Sequence, residues 1–387
     1  MGIKYTFEFS DMKYRIAVFP GDGVGQELIN EGLKVIGKAA ELDKFEIEWV
    51  SYPHGAEHYS ETKEVLPEKI LKEIKNSCNS IYCGAFDNSA FEPLPEKSIS
   101  AMIRNYFEQS LCLRPVKLMQ GVDGPLAGKT GNDVNFTLIR ENTEDFYIGV
   151  HGRAKNGRSR QQTDISKSAS KAKFAVSIET KGNEIAYQIG VLSRKGCERA
   201  VKYAFEYAKR KGIRKIASVD KANIVDYYNF WRESVEKTAK DYPEVSCSFE
   251  LIDAVVMNFI RQPERYGVIV APNLFGDILG DLGTVLQGGL SFAAQGNISP
   301  EGISMFEPVH GSAPKLKDKG IVNPIATIWA GALMLDSIGQ HKSSDLIIKS
   351  IESVLKDGRI RTQDLDGNNT TSEMGDAIAD KFVELHD

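Results

Sequence analysis

The chain has 387 residues, 42% hydrophobic and 26% charged, an ordinary globular composition with material for about two domains. Forty-eight basic against 53 acidic residues leave a net charge of −5, which argues against a dedicated nucleic-acid binder. Collagen-like, coiled-coil and disordered classes are excluded by the same figures, and no apolar run approaches the roughly 20 residues of a membrane span. The N-terminal MGIKYTFEFSDMKYR has no apolar signal core, although Gly2 and Thr6 fit the loose myristoylation pattern. Cys78, Cys83, Cys112, Cys197 and Cys247 include no CxxC pair and read as reduced thiols, so a cytoplasmic protein is expected.

Strands and helices alternate along most of the chain, which predicts an α/β architecture. RIAVF (15–19) reads as a strand, GDGVG (21–25) as a sharp turn, and Leu28, Ile29, Val35 and Ile36 as the apolar stripe of a helix. Strands follow at 45–50 and 80–86, with a helix near 67–76 between them. Further strands are expected at 134–139, 215–220 and 266–271. Helices are expected near 195–211, 226–240, 274–286, 325–339, 343–356 and 372–384. The segment 153–173 carries seven Lys or Arg against one Asp. Without an apolar run it reads as a solvated loop or protruding hairpin, with a polyanion patch as the alternative.

GDGVG imitates a dinucleotide fingerprint but carries Gln26 at the sixth position, where G-x-G-x-x-G needs a small residue. It is therefore read as a tight turn. NLFGDILGDL (273–282) is more informative, because Asp277 and Asp281 four apart share one helix face. They are either solvated surface carboxylates or oxygen ligands for a hard divalent cation. Arg104, Arg114 and Arg140 are candidates for carboxylate recognition, the last two where strands deliver side chains to a rim. Tyr147 follows Arg140 within RENTEDFYIG, and Lys221 follows a strand within DKAN, where burial would make it a base. FEPVHGSAP (306–314), with Asn323-Pro324 beyond it, reads as a rigid loop suited to a phosphate or adenosine, or as a plain turn.

In this order the segments resemble the metal-dependent β-decarboxylating dehydrogenases: isocitrate, 3-isopropylmalate, homoisocitrate and tartrate/D-malate dehydrogenases. The likeness runs from GDGVG to TTSEMGDAI (370–378). It implies an α/β, isocitrate/isopropylmalate dehydrogenase-like, non-Rossmann fold with two α/β domains around a mixed sheet and a protruding arm. Residues 1–109 with 288–387 would form the large coenzyme-binding domain. Residues 110–287 would form the smaller substrate, metal and dimerisation domain, with the arm at 150–185.

The resemblance also assigns roles. Arg104, Arg114 and Arg140 would hold the substrate carboxylates, with Ser98 and Ser100 beside its 3-substituent. Tyr147 would protonate the enol carbon, and Lys221 from a neighbouring subunit would take the hydroxyl proton. Asp277 and Asp281, with the neighbour's Asp253, would bind Mg2+ or Mn2+. Glu307, His310, Gly311, Ser312, Ala313, Lys315, Asn323 and Asn223 would bind NAD or NADP. Each step of oxidative decarboxylation then has a group: arginines to position the acid, a metal for the developing enolate, a general acid and a base.

Within the family, EKSISAMIR (96–104) sets Lys97, Ser100 and Ala101 where isopropylmalate enzymes place apolar side chains, a poor isopropyl pocket. FEQSLCLRPVKLMQGVDGPLAG and IWAGALML look most like the tartrate/D-malate group, although Asp145 stands where that group has Gly. The expected substrate is of tartrate/D-malate type, then isocitrate or homoisocitrate, then 3-isopropylmalate. Lys315 replaces the Asp of NAD-specific relatives, whereas Leu316, Gln363 and Gly367 lack the rest of the NADP pattern, so both coenzymes stay open. A regulatory paralogue would lack catalytic residues, all of which are present here. A phosphotransferase would need GxxxxGK[ST], which is absent. The implied partners are a small hydroxy acid and a second copy of the chain, with no nucleic acid and no membrane.

Overall fold

A computed structural model describes residues 13–87, 98–166 and 171–386. The readings on Gly2, Thr6 and Lys97 fall outside the described residues. In chain order the elements are β1 (Lys13–Phe19), α1 (Gly25–Asp43), β2 (Glu46–Ser51), α2 (Ala56–Thr62), α3 (Glu68–Ser77), β3 (Ser80–Cys83) and α4 (Ile99–Tyr106). Next come β4 (Leu111–Lys117), β5 (Asn135–Glu141), β6 (His151–Ala154), β7 (Gly157–Ser166), β8 (Lys171–Thr180), β9 (Ile185–Gln188) and α5 (Arg194–Arg210). Then follow β10 (Lys215–Asp220), α6 (Tyr228–Ala239), β11 (Ser246–Leu251), α7 (Ile252–Arg261), β12 (Val268–Ala271) and α8 (Asn273–Leu286). The last are β13 (Ala294–Ile298), β14 (Met305–Pro308), α9 (Ile325–Ser337), α10 (His341–Asp357) and α11 (Thr371–His386).

The chain divides into two compact units. The first comprises Met1–Phe107, Leu118–Gly131 and Thr284–Asp387. Its strands run in the order β13-β14-β3-β1-β2, parallel except where β13 meets β14. Helix α9 is buried on every side from Ile325 to Asp336, which explains why IATIWAGALML lacks a polar face. On one side of this unit, Phe19, Ile74, Ile81, Ile103 and Met305 close a core.

The second unit comprises Glu108–Lys117 and Asn132–Gly283. Its strand order is β11-β10-β12-β5-β4, parallel except for the β4–β5 pair. Parallel strands buried on both faces read as continuous apolar runs, and VIVA of β12 is wholly buried. Strand β4 runs on through Pro115 to Lys117, so Arg114 lies mid-strand opposite Leu138 rather than at a strand end. Within the expected arm, β7 pairs with β8 and β6 with β9, both antiparallel. The basic segment 153–173 thus lies largely in a hairpin, and its cations meet Glu179, Glu184 and Asp164 across the strands. Such exposed pairs add little stability. Ile165, with Ile148 and Val150, closes a small core at its base.

Helix α7 was not expected from the sequence. Ile252, Val255, Val256 and Ile260 are β-branched, and β-branched runs favour strands by local preference. The helix buries Val255 and Phe259 but exposes Val256, Met257 and Ile260, so its apolar pattern is not one-sided within this chain.

Candidate active site

The strongest juxtaposition in the second unit is built on α8. Gly276 and Gly280 lie one helical turn apart, each beside an arginine from the neighbouring strands. A Cβ on Gly276 would come within 2.6 Å of Arg140 Cγ, and one on Gly280 within 2.6 Å of Arg114 Nη1. The glycines therefore let the Arg140 stem and the Arg114 guanidinium pack against the helix. Gly283 does the same for Val116, where a Cβ would meet the valine methyl at 2.7 Å. The glycine-rich NLFGDILGDLG is a packing face for β4 and β5, and it also carries Asp277 and Asp281.

Arg140 pairs with Asp277 through Nη1, and its Nε donates to Asn273 Oδ1 at 2.8 Å. Arg114 Nη1 lies 3.0 Å from Asp281 Oδ1. Both guanidinium groups are nearly buried, at 12% and 8% exposure, while Asp277 and Asp281 are 38% and 78% exposed. Buried cations behind exposed carboxylates offset the repulsion of two like charges on one helix face. Tyr147 completes the group: its hydroxyl donates to Asp277 Oδ2 at 2.9 Å, and its ring lies 5.5 Å from the Arg140 guanidinium carbon. Partial burial, then Asp277, raises the Tyr147 pKa and keeps the phenol protonated. The donor set of the two aspartates is all oxygen, accessible and on one face, which fits a hard divalent cation.

Lys221 and Asp253 form a second pair, with Nζ 2.6 Å from Oδ1. That ion pair holds the Asp253 carboxyl below its ordinary value. Lys221 is thus engaged by a carboxylate rather than desolvated, unlike the apolar setting considered from sequence. Among the described residues, no hydrogen bond or ion pair joins Lys221 or Asp253 to Asp277 or Asp281. Asn223 is exposed on the turn beyond Lys221.

Behind this face lies a layer that the sequence did not single out. Glu141, Glu144 and Asp145 are fully buried. Glu141 caps the turn that follows β5, accepting from Thr143 N at 3.0 Å and Glu144 N at 2.8 Å. Burial, then the charge of Glu144, raises its pKa to about 7. Glu144 accepts from Ser193 N at 2.7 Å and Ser193 Oγ at 2.6 Å, just before α5. Asp145 accepts from the hydroxyls of Tyr227 and Tyr228 and from Leu274 N at 2.9 Å. It does so at φ 63°, a conformation that favours glycine and costs an aspartate strain. Asp145 thereby pins the first turn of α8 and holds the backbone two residues before Tyr147. RENTED signalled this only as an acidic run; burial of its last three carboxylates became visible in three dimensions.

The other predicted residues lie in the first unit. The GDGVG glycines adopt left-handed φ at Gly21 and Gly23, where a Cβ would meet Ala85 O and Ser312 O at 2.1 Å. Val24 N donates to Ser312 O at 2.9 Å, so this turn is a seat for the HGSAP loop, as close backbone approach requires. His310 Nε2 is buried without a hydrogen-bond partner, an orphan that a bound polar group would satisfy. Burial lowers the His310 pKa, which keeps the ring neutral. Gly311 is open above its Cα, Ala313 sits at φ 39°, and Lys315 is exposed without an ion pair among the described residues.

Two of the predicted residues are committed to the scaffold. Glu307 Oε1 accepts from Gln295 at 2.9 Å and from Asn297 at 2.7 Å. Asn323 donates to Asp364 at 3.1 Å and accepts from Ile325 N at 3.0 Å, just before α9. Ser98 is the N-cap of α4, accepting from Ala101 N at 3.4 Å. Ser100 is buried in the first turn of that helix, and Arg104 lies half-buried in its last turn.

Comparison with known proteins bears on this arrangement. Residues 15–378 match the family model described as isocitrate/isopropylmalate dehydrogenase. The chain is 37% identical over 379 residues to the D-malate dehydrogenase [decarboxylating] of Escherichia coli (strain K12), covering 94% of this chain and 97% of that one. It is 36% identical over 374 residues to the 3-isopropylmalate dehydrogenase of Thermobifida fusca (strain YX), covering 96% and 98%. The solved isocitrate dehydrogenase of Methylococcus capsulatus superposes with a TM-score of 0.77 at 32% identity, covering 95% of this chain and 99% of that one. The chain belongs to the isocitrate/isopropylmalate dehydrogenase family and is a β-decarboxylating dehydrogenase.

Proposed function

We propose that the protein catalyses NAD(P)-dependent, Mg2+- or Mn2+-dependent oxidative decarboxylation of a small 2-hydroxy dicarboxylic acid of the tartrate/D-malate type. The observation that carries this reading is the Arg140–Asp277–Tyr147 group, with Arg114–Asp281 one turn along the same helix. Bound at Asp277 and Asp281, a divalent ion would supply Lewis-acid stabilisation of negative charge developing on the substrate oxygen. Arg114 and Arg140, held by the glycine face of α8, would grip the substrate carboxylates and fix its orientation. Tyr147, protonated and 53% exposed, would deliver its proton to the carbon left by the departing carboxylate. Lys221 would take the hydroxyl proton during hydride loss.

Among the described residues no hydrogen bond or ion pair joins the Lys221–Asp253 pair to the α8 aspartates, which supports a homodimer in which each site borrows that pair from its neighbour. Exposed Val256, Met257 and Ile260 on α7 and Ile278 on α8 provide apolar surface for such an assembly. The coenzyme is proposed on the HGSAP loop, where His310 Nε2 awaits a partner. Exposed, unpaired Lys315 tolerates or attracts a 2′-phosphate, so NADP stands beside NAD. Ser98, engaged as a helix cap, has less capacity to read an extra carboxylate, which supports a small substrate over isocitrate or homoisocitrate. The protein is read as cytoplasmic; no helix of the described residues is long and apolar enough to cross a membrane.

The test is NAD(P)H formation with Mn2+ on D-malate, tartrate, isocitrate, homoisocitrate and 3-isopropylmalate, each with both coenzymes. The highest kcat/KM is expected on D-malate or tartrate. A win for isocitrate or homoisocitrate would instead assign Ser100 and its neighbours to a third carboxylate. Turnover of none of the five would overturn the reading. Lys315→Asp is expected to shift the coenzyme ratio toward NAD by about tenfold, a change of about 1.4 kcal/mol.

A further inference from the structure

We propose that His54, His58 and Glu64 form a transition-metal site of the zinc class in the first unit. His54 follows β2 and is only 5% exposed. His58 lies on the short helix α2, and Glu64 follows Lys63, whose left-handed φ of 61° ends that helix and turns the chain back. The two imidazole rings are neighbours, with centroids 4.7 Å apart and planes tilted by 52°. One ligand atom from each imidazole and from the Glu64 carboxylate lie within 4.8 Å of one another.

A second, independent feature points to a ligand. His54 Nδ1 and His58 Nε2 are both buried without a hydrogen-bond partner, and paired orphans this close are rare in a satisfied interior.

Two imidazoles and one carboxylate are a three-ligand zinc set with a fourth position open to water. Nitrogen donors select zinc, cobalt, nickel or copper over the Mg2+ and Mn2+ that suit the all-oxygen aspartates of α8. Donors around a tetrahedral zinc lie roughly 3.4 Å apart, so small side-chain rotations would close the set. Occupancy would pin α2 and with it Glu57, whose carboxylate holds Lys317 at 2.7 and 2.8 Å beyond the HGSAP loop.

The experiment is cobalt(II) titration of the full chain after chelator treatment, followed by visible absorption. Near-tetrahedral cobalt on imidazoles gives an intense d–d band, whereas octahedral cobalt on the aspartates gives a weak one. The wild type and an Asp277→Asn/Asp281→Asn variant are expected to give the intense band at one equivalent. His58→Ala, which removes one ligand from the short helix α2, is expected to lose it. Glu64→Ala is expected to weaken cobalt binding by about tenfold or more. Zinc should displace the cobalt and raise the melting temperature of wild type but not of His58→Ala. A wild type without the intense band, or a His58→Ala protein that keeps it, would overturn the assignment. The readout does not involve turnover, so it stands or falls apart from the proposed reaction.

Discussion

Two sets of three carboxylates in the second unit meet opposite fates. Asp253, Asp277 and Asp281 face solvent, and each pairs with a lysine or arginine. Glu141, Glu144 and Asp145 are fully buried, and among the described residues none of them has a cationic partner. Backbone N–H groups, Ser and Thr hydroxyls, and two tyrosines satisfy them instead. A carboxylate next to solvent keeps accessible oxygen lone pairs beside its cation and can take a metal with them. A buried carboxylate saturated by fixed donors cannot, and its charge becomes a fastener for the backbone. The first set is therefore accessible to a ligand, and the second fixes the backbone before Tyr147 and the first turn of α8.

Substitutions on the two sides should separate activity from stability. Asp277→Asn is expected to lower kcat/KM by about 10³-fold, the several kcal/mol that a Lewis-acid site supplies. Its melting temperature should stay near wild type because the side chain is accessible; an unchanged rate would refute the metal assignment. Asp145→Ala should do the reverse first, costing about 2–4 kcal/mol in urea unfolding by stranding Tyr227, Tyr228 and Leu274 N. Asp145→Asn should cost less, since its side-chain oxygen still accepts hydrogen bonds. If the Ala and Asn variants unfold alike at wild-type urea concentration, the fastening role is wrong.

Gly276→Ala tests the join between the two layers. Its Cβ would meet Arg140 Cβ and Cγ at 2.7 and 2.6 Å, atoms that cannot swing away. About 1–3 kcal/mol of destabilisation is expected, with a raised substrate KM. Gly280→Ala should be milder, because it meets the movable Nη1 end of Arg114. Equal effects from the two would show that rigidity near the strand does not matter.

Glu141 makes the smallest and most specific contribution. Its folded pKa of about 7 exceeds its ordinary 4.5, so the folded state keeps a proton that the unfolded chain releases. Stability is then greatest below pH about 4.5 on this account and is lost as pH rises through about 7. Glu141→Gln should remove that slope, so urea midpoints between those pH values should vary less than in wild type. An unaltered slope would place the titration elsewhere.

The contrast also shows which features were legible in advance. The strands at 15–19, 215–220 and within 266–271 were readable because buried parallel strands are short, apolar and bounded by turns. Helices 274–286 and 325–339 were readable from length alone. Helix α7 was not, because its β-branched residues favour a strand locally and part of its apolar surface stays exposed in one chain. GDGVG, read as a tight turn, also seats Ser312 against Val24, a contact that depends on two segments nearly 290 residues apart.

The amino-acid sequence by itself determined the family and the reaction class, through the resemblance that its motifs carry in order from GDGVG to TTSEMGDAI. Only the tertiary structure decided which carboxylates face solvent and which are buried. It also decided that two α8 glycines are seats for arginines and that Asp145 anchors the helix from behind. Burial and close approach are properties of what packs against a residue, and no local pattern of residues carries that information.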